Sequence, residues 1–414
     1  MVTVLFDATR LFMRASRTSP TGIDRVTQAY ARWLMSRPDM DTIAVCSLGG
    51  VLSTLAPGSL ERVLTAPREE PEGAGRDWRA LVSALTAPPG DTAALRLASA
   101  RTASETRFAR YLRFGLGMAA EWRPARFDSK ALYLNVSHFG LEQPRVLDRL
   151  AARGVRTAVM IHDLIPIVHP EYCSPSASGW HLRRVNAMLD HATHVIANST
   201  STAADLTAFA RSTGRRRPPI CVAPLGLEPP FFRARSEPGL GERPYFVCVG
   251  TIEPRKNVTL LLTLWRRLAE RMGPQTPPLV LAGSRGWETE AIIDHLDRSP
   301  PVRRFVHEIN GLGDHALARL IAGATALLSP SFLEGYNLPV AEALAIGTPV
   351  IASDIPVHRE LARGAHLIDP LDGPAWLAAI VAATLQRPDS RPHAPPGWPE
   401  HFAIVTQALG LPEA

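Results

Sequence analysis

Two glutamates, Glu334 and Glu342, stand with seven residues between them in the run Glu334-Gly335-Tyr336-Asn337-Leu338-Pro339-Val340-Ala341-Glu342, directly after the apolar stretch TALLSP. In an open parallel sheet, ligands bind at the carboxyl ends of the strands, and a helix that starts there presents free N–H groups to a phosphate. Pro339 suits a first helical position. Gly335, Tyr336, Asn337 and Leu338 would then offer backbone donors to a diphosphate, with Glu334 ahead of them on the loop and Glu342 one turn into the helix. The residues around Glu342 are apolar on every side. A carboxylate buried there needs a polar partner, and the pair of glutamates can bracket a nucleotide sugar.

A second run, Gly250-Thr251-Ile252-Glu253-Pro254-Arg255-Lys256-Asn257, follows the strand-like YFVCV. A glycine at a strand end, then two cations and a helix start, suits close backbone approach and neutralisation of a pyrophosphate leaving group. It is not the dinucleotide fingerprint, because no G-x-G-x-x-G is present. Alone, Arg255 and Lys256 read equally well as an exposed loop pair; with the glutamates they complete a site.

The amino-terminal half carries fainter signals. In IHDLIP, His162 and Asp163 close an apolar strand at its carboxyl end, although a histidine after a strand is more often structural. Thr21-Gly22-Ile23-Asp24-Arg25 precedes a helical pattern, and its plain reading is a helix cap with a solvated arginine. Asn198-Ser199-Thr200 is suited to capping a helix at Ser199.

Taken together, GTIEPRKN, LAGSRGW and EGYNLPVAEALAIGTPVIAS resemble the carboxyl-terminal domain of the retaining glycosyltransferases of family four, with the GT-B fold. The resemblance implies that Arg255 and Lys256 hold the donor diphosphate, Glu334 contacts the donor sugar near the reacting carbon, and Glu342 binds the ribose. It sets His307 and Ile309, within VHEIN, at the base. It gives Gly22 and Arg25 a place in the loop over the donor phosphates or the acceptor, and brings His162 to the donor sugar. HDLIPIVHPEY is similar to the subgroup that transfers mannose or related hexoses in surface polysaccharide synthesis. The implied donor is a nucleotide diphosphate sugar, GDP-mannose favoured, acting as co-substrate with no cofactor and no metal. The implied acceptor is a glycan or lipid-linked glycan. Asn337 departs from the pattern, since relatives often carry glycine there, but asparagine tolerates left-handed backbone.

Elements that could position these groups alternate along the chain. In the second half, YFVCVG, PLVLAG, VRRFV, TALLSP, TPVIAS and AHLID read as strands between helical stretches. In the first half, VTVLFDA, TIAVCS, ALYLNVS, TAVMIHD, HVIANS and PICVAP do the same. This rhythm predicts α/β architecture with two doubly wound, Rossmann-like parallel-sheet domains facing across a cleft. Residues 1–230 are expected to form the acceptor-side domain and 244–385 the donor domain, with a proline- and glycine-rich linker between. Residues 386–414 are expected to form a tail whose helix packs back on the first domain. The 414 residues suit two domains of about 200 each.

The chain is 46% hydrophobic and 20% charged, with no apolar run long enough to span a bilayer. Its start reads as a first strand and not a signal peptide, so a cytoplasmic protein is expected. Cys46, Cys173, Cys221 and Cys248 are scattered and read as free thiols, most of them buried in strand-like runs. A formal charge of +6 favours anionic partners. Arg107, Arg110 and Arg113, beside Phe108, Tyr111 and Phe114, could form a basic amphipathic helix on an anionic membrane at the inner face of the cell, or one packed on its own domain. Nucleic acid is not an expected partner, because no aromatic platform interleaves the basic residues. A catalytically silent sugar-nucleotide binding subunit of a polysaccharide assembly complex is the alternative reading.

Overall fold

The computed structural model describes residues 1–14, 21–66, 74–88, 95–97, 123–124, 128–143, 145–287, 289–390, 392–393 and 395–413. They form two Rossmann-like domains built on largely parallel sheets. In the first half the strands are β1 (Val2–Asp7), β2 (Met40–Leu48), β3 (Val51–Thr54), β4 (Arg96–Leu97), β5 (Arg123–Pro124), β6 (Leu132–Asn135), β7 (Arg156–Ile161), β8 (His194–Ala197) and β9 (Ile220–Val222). The second half adds β10 (Phe246–Val249), β11 (Leu279–Ala282), β12 (Val306–Ile309), β13 (Ala326–Ser329), β14 (Val350–Ser353) and β15 (His366–Ile368). The first sheet runs β5-β3-β2-β1-β6-β7-β8-β9 and the second β15-β14-β13-β10-β11-β12-β4.

Helices cover both faces, so the central strands are apolar without alternation and send successive side chains into opposite cores. In β1, Val4 and Phe6 enter one cluster and Leu5 the other. In β10, Phe246 and Cys248 go one way and Val247 the other. Residues 302–306, expected as a strand, divide differently: Pro300–Phe305 is helical, led by its prolines, and the strand begins only at Val306.

The two halves of the chain are not two separate packing units. The helix Ala74–Thr86 buries Leu81 and Leu85 against Tyr245, Val280 and Ile309 of the second domain, and β4 pairs in parallel with β12, Arg96 opposite Glu308. Arg96 donates to the carbonyls of Val306 and, at 2.7 Å, Leu296. The expected domain of residues 1–230 therefore lends a helix and an edge strand to its neighbour. The segment between the domains is also no free tether, since Phe231 is fully buried and its helix Pro230–Arg233 packs against the helices Asp314–Gly323 and Leu338–Ile346.

The last helix, Trp398–Leu409, sets Phe402, Val405 and Leu409 into the first domain's core. Phe402 stacks on Trp33 with centroids 4.4 Å apart, and the Tyr30 hydroxyl meets His401 Nε2 at 2.7 Å. Arg107, Arg110 and Arg113 lie outside the described residues. No helix among the described residues is long and apolar enough to cross a membrane.

Candidate active site

The carboxyl ends of β10 and β13 bring the two sequence runs together. After β10 the chain turns at Gly250, whose φ of 135° excludes other residues. The neighbouring loop presses on it: a Cβ on Gly283 would stand 1.9 Å from the Gly250 carbonyl oxygen. Lys256 lies over this turn and gives its Nζ to Glu334 Oε1 at 2.6 Å. Arg255 reaches Glu334 Oε2 at 2.5 Å, the Leu333 carbonyl at 2.8 Å and Glu253 at 2.6 Å. Burial pushes the Glu334 carboxyl up, but Arg255 and Lys256 outweigh it and hold the group well below the usual carboxylate range. Burial also raises Glu253, against the opposing effect of Arg255 and Lys256.

Asn337 adopts the left-handed conformation, with φ 74° and ψ 66°, and caps the helix Leu338–Ile346. Its buried Nδ2 donates to Ser329 Oγ and to His358 Nε2, both at 2.8 Å. His358 in turn donates Nδ1–H to the Ser353 carbonyl at 2.7 Å. This asparagine therefore fixes the loop by side-chain bonds that glycine could not make. Pro339 falls at the second helical position, Leu338 being the first. Tyr336 points away from the loop into the first domain's core and donates to the Leu225 carbonyl at 2.8 Å.

At Gly335 the second domain's backbone comes close against the first. A Cβ there would lie 2.1 Å from the His162 carbonyl oxygen and 3.0 Å from Asp163 Cβ. Ser199 caps the helix Thr200–Ser212 and also donates to the Gly335 carbonyl at 2.8 Å, while Asn198 donates to the His162 carbonyl at 2.9 Å. The His162 ring is buried and gives its Nε2–H to the Val136 carbonyl at 2.8 Å. Burial lowers its pKa to about 4, so the ring is neutral and, with Nε2–H engaged, keeps Nδ1 as an acceptor.

Arg25 is not solvated. From the helix Gly22–Met35, whose start is held by a Thr21–Asp24 capping box, it reaches across the cleft to Glu342 and, at 2.5 Å, to Asp314. Gly22 sits at the same helix start, close to Leu338. Glu342 is buried, and its Oε2 finds no partner among the described residues. Burial raises its carboxyl, with Asp314 adding to the shift against Arg25. An orphaned acceptor on a buried helix is what a hydroxyl-bearing ligand would satisfy.

Of the expected base contacts, His307 Nδ1 accepts the Leu95 amide of the crossing segment at 3.1 Å, and the Ile309 side chain is fully buried in the core. Asp314 and His358 lie outside the sequence motifs, whereas Asp163 is read beside His162 and Glu253 stands within the run 250–257 without a role. No cluster of metal-binding side chains occurs among the described residues. A groove of about 730 Å³ along β9, lined by Thr200, Ala204, Arg211 and Ile220, lies outside the cleft and holds none of the residues above.

Two Rossmann-like domains closing on such a cleft define a GT-B protein. Residues 232–391 match the model of the family described as glycosyl transferases group 1. The serotype-specific mannosyltransferase WbdA of Escherichia coli is 27% identical over 241 residues, 55% of this chain and 29% of its own length. O-antigen chain mannosyltransferase B of Escherichia coli is 34% identical over 138 residues, 33% of this chain and 36% of that protein. The chain thus spans about a third of these curated relatives. The sucrose-phosphate synthase of Thermosynechococcus elongatus shares the fold, with a TM-score of 0.61 at 16% identity over 99% of this chain and 97% of that one.

Proposed function

We propose that the protein is a retaining, metal-independent hexosyltransferase, moving mannose from GDP-mannose to a glycan or lipid-linked glycan in surface polysaccharide synthesis, at the cytoplasmic face of the membrane. The observation that carries this reading is Glu334 held between Arg255 and Lys256 at the strand ends, against the Gly335–His162 contact. The mannosyltransferases among the relatives support the sugar.

Arg255 and Lys256 are the cations that a donor diphosphate would draw away from Glu334, leaving that carboxylate to the sugar hydroxyls. The amides at the start of Leu338–Ile346 face the same phosphates, and Glu342 Oε2 accepts from the ribose. The acceptor oxygen bonds to the anomeric carbon on the face that the diphosphate leaves. The C–O electron pair passes to the departing phosphate oxygen, which takes the acceptor proton. Fixed cations stabilise that developing charge in a site already desolvated, a contribution that needs no metal ion.

The test is donor turnover with chelator present: GDP-mannose, UDP-glucose, UDP-GlcNAc, UDP-galactose and dTDP-rhamnose, each beside Glu334→Gln. Release of nucleoside diphosphate from one donor, lost in the variant, supports the reading and names the donor. Binding without release, even with lipid-linked acceptors, supports the catalytically silent alternative. Dependence of release on divalent metal overturns the metal-independent step.

A further inference from the structure

The first sheet changes direction at β1. The chain passes from β1 to β2 on one side and later returns to place β6 on the other, so the crevice of this domain opens beyond the carboxyl ends of β1 and β6. Arg10 follows β1, His138 follows β6 and His162 follows β7, while His181 and Arg184 come from the helix Ala177–His191.

His138 is the anomaly there. It has a left-handed φ of 47°, a conformation that costs a non-glycine residue free energy and persists where the surroundings impose it. It is 8% exposed, and its Nδ1 has no partner among the described residues. Its ring stands 5.3 Å from that of His162 and 5.5 Å from that of His181. Those two are already committed through Nε2, His162 to the Val136 carbonyl and His181 to the Asp163 carbonyl, both at 2.8 Å.

Among the charged side chains that act on the His138 ring are the guanidiniums of Arg184 and Arg10. Arg10 and Arg14 share one carboxylate, Asp24, through Nε at 2.8 and 2.9 Å. Arg184 gives Nε–H to Glu142 at 2.9 Å, leaving its terminal nitrogens for another acceptor. Asp7 is held inside the sheet by Tyr133 at 2.6 Å and Thr9 at 3.0 Å. Asp163 is the carboxylate on the donor side, its Oδ1 taking the Ile165 amide at 3.1 Å.

We propose that this crevice binds a phosphate group carried by the acceptor, with the Arg10 and Arg184 guanidiniums on its oxygens and His138 Nδ1–H donating beside them. The assignment rests on the transferase reading above and adds the acceptor's chemical class to it. A phosphate would satisfy the orphaned nitrogen and the two guanidiniums that act on the His138 ring together, which a neutral hydroxyl would not. The phosphate has two possible sources, the diphosphate of a polyprenyl carrier or a phosphorylated sugar.

The experiment measures KM at saturating GDP-mannose for three acceptors: farnesyl diphosphate-linked GlcNAc, methyl mannoside 6-phosphate and methyl mannoside. Wild type is set beside Arg10→Gln, Arg184→Gln and the charge-keeping Arg184→Lys, with donor Kd as the internal reference. A charge-assisted contact predicts KM for a phosphorylated acceptor about tenfold below that of the neutral one. That preference is lost in the Gln variants and partly restored in Arg184→Lys, while donor Kd holds. Preference for the farnesyl compound assigns the phosphate to a lipid carrier, and preference for the phosphosugar to the glycan. Equal KM for all three acceptors, or a preference unchanged in both Gln variants, overturns the proposal. If no donor reacts, the transferase reading fails on its own. Calorimetry with farnesyl diphosphate-linked GlcNAc then decides the crevice: weaker binding by Arg184→Gln supports it, and equal or absent binding overturns it.

Discussion

Arg25 and Glu342 lie 317 residues apart in sequence and form an ion pair across the cleft. The helix Gly22–Met35 of one domain thereby reaches the carboxylate on which the other domain would seat a ribose. Arg25 also holds Asp314, so one guanidinium serves two carboxylates.

Removing Glu342 tests both duties. Glu342→Ala strips a buried guanidinium of its more deeply buried partner and is expected to cost about 3 kcal/mol in urea unfolding. The lost hydroxyl acceptor weakens donor binding about tenfold by calorimetry. A variant as stable as wild type, with the same donor Kd, would remove Glu342 from both roles.

Glu334→Gln keeps the shape of the side chain and removes its charge. Arg255 and Lys256 now balance that carboxylate, so the variant frees them for a diphosphate. The expected outcome is opposed: GDP alone binds more tightly than to wild type, while turnover falls about 10²- to 10³-fold. Because Arg255 and Lys256 hold the folded carboxyl well below its ordinary 4.5, Glu334 is ionised in the free enzyme and contributes no acid limb to kcat/KM. Weaker GDP binding by the variant would mean that the cations do not face the diphosphate.

The strands, the glutamate pair and the left-handed Asn337 were legible because each is written locally: an apolar run, a fixed spacing, a residue tolerant of positive φ. The partner of Glu342 was foreseen only as a need, since its identity depends on how two domains meet. β4 could not be read at all, because two residues have no period and its bonds come from Val306, His307 and Leu296 in the other domain. His138 did carry a signal, a histidine just past a strand end like His162, and the rule that ligands sit at carboxyl ends would have found it.

The crossing segment should stabilise the second domain measurably. Leu81 is fully buried in that domain's core, so Leu81→Ala is expected to cost about 2 to 5 kcal/mol. The Glu308 amide, which donates to the Leu95 carbonyl at 2.9 Å, should exchange its hydrogen faster in the variant. Unchanged exchange at Glu308 with lowered stability would show that helix Ala74–Thr86 and β4 dock independently.

His401 joins the last helix to the first domain, accepting from the Tyr30 hydroxyl at Nε2 and meeting the Pro224 carbonyl through Nδ1 at 2.9 Å. Those bonds require a neutral ring. Burial lowers its pKa from 6.5 to about 4, although the Pro224 and Ala223 carbonyls oppose the shift. Between those values the unfolded chain binds a proton that the native protein excludes. The histidine's contribution to stability is therefore complete above 6.5 and is lost as the pH falls toward 4, at up to about 1.4 kcal/mol per pH unit. Other buried groups titrate in this window, among them His162 and His307, but they are common to wild type and His401→Gln and cancel in the difference. Urea unfolding of both proteins at about pH 7 and about pH 5 should show the variant's deficit shrinking at the lower pH. A deficit that is the same at both would mean that His401 is protonated, or equally titratable, in the folded chain, and the neutral hydrogen-bonded hinge would be wrong.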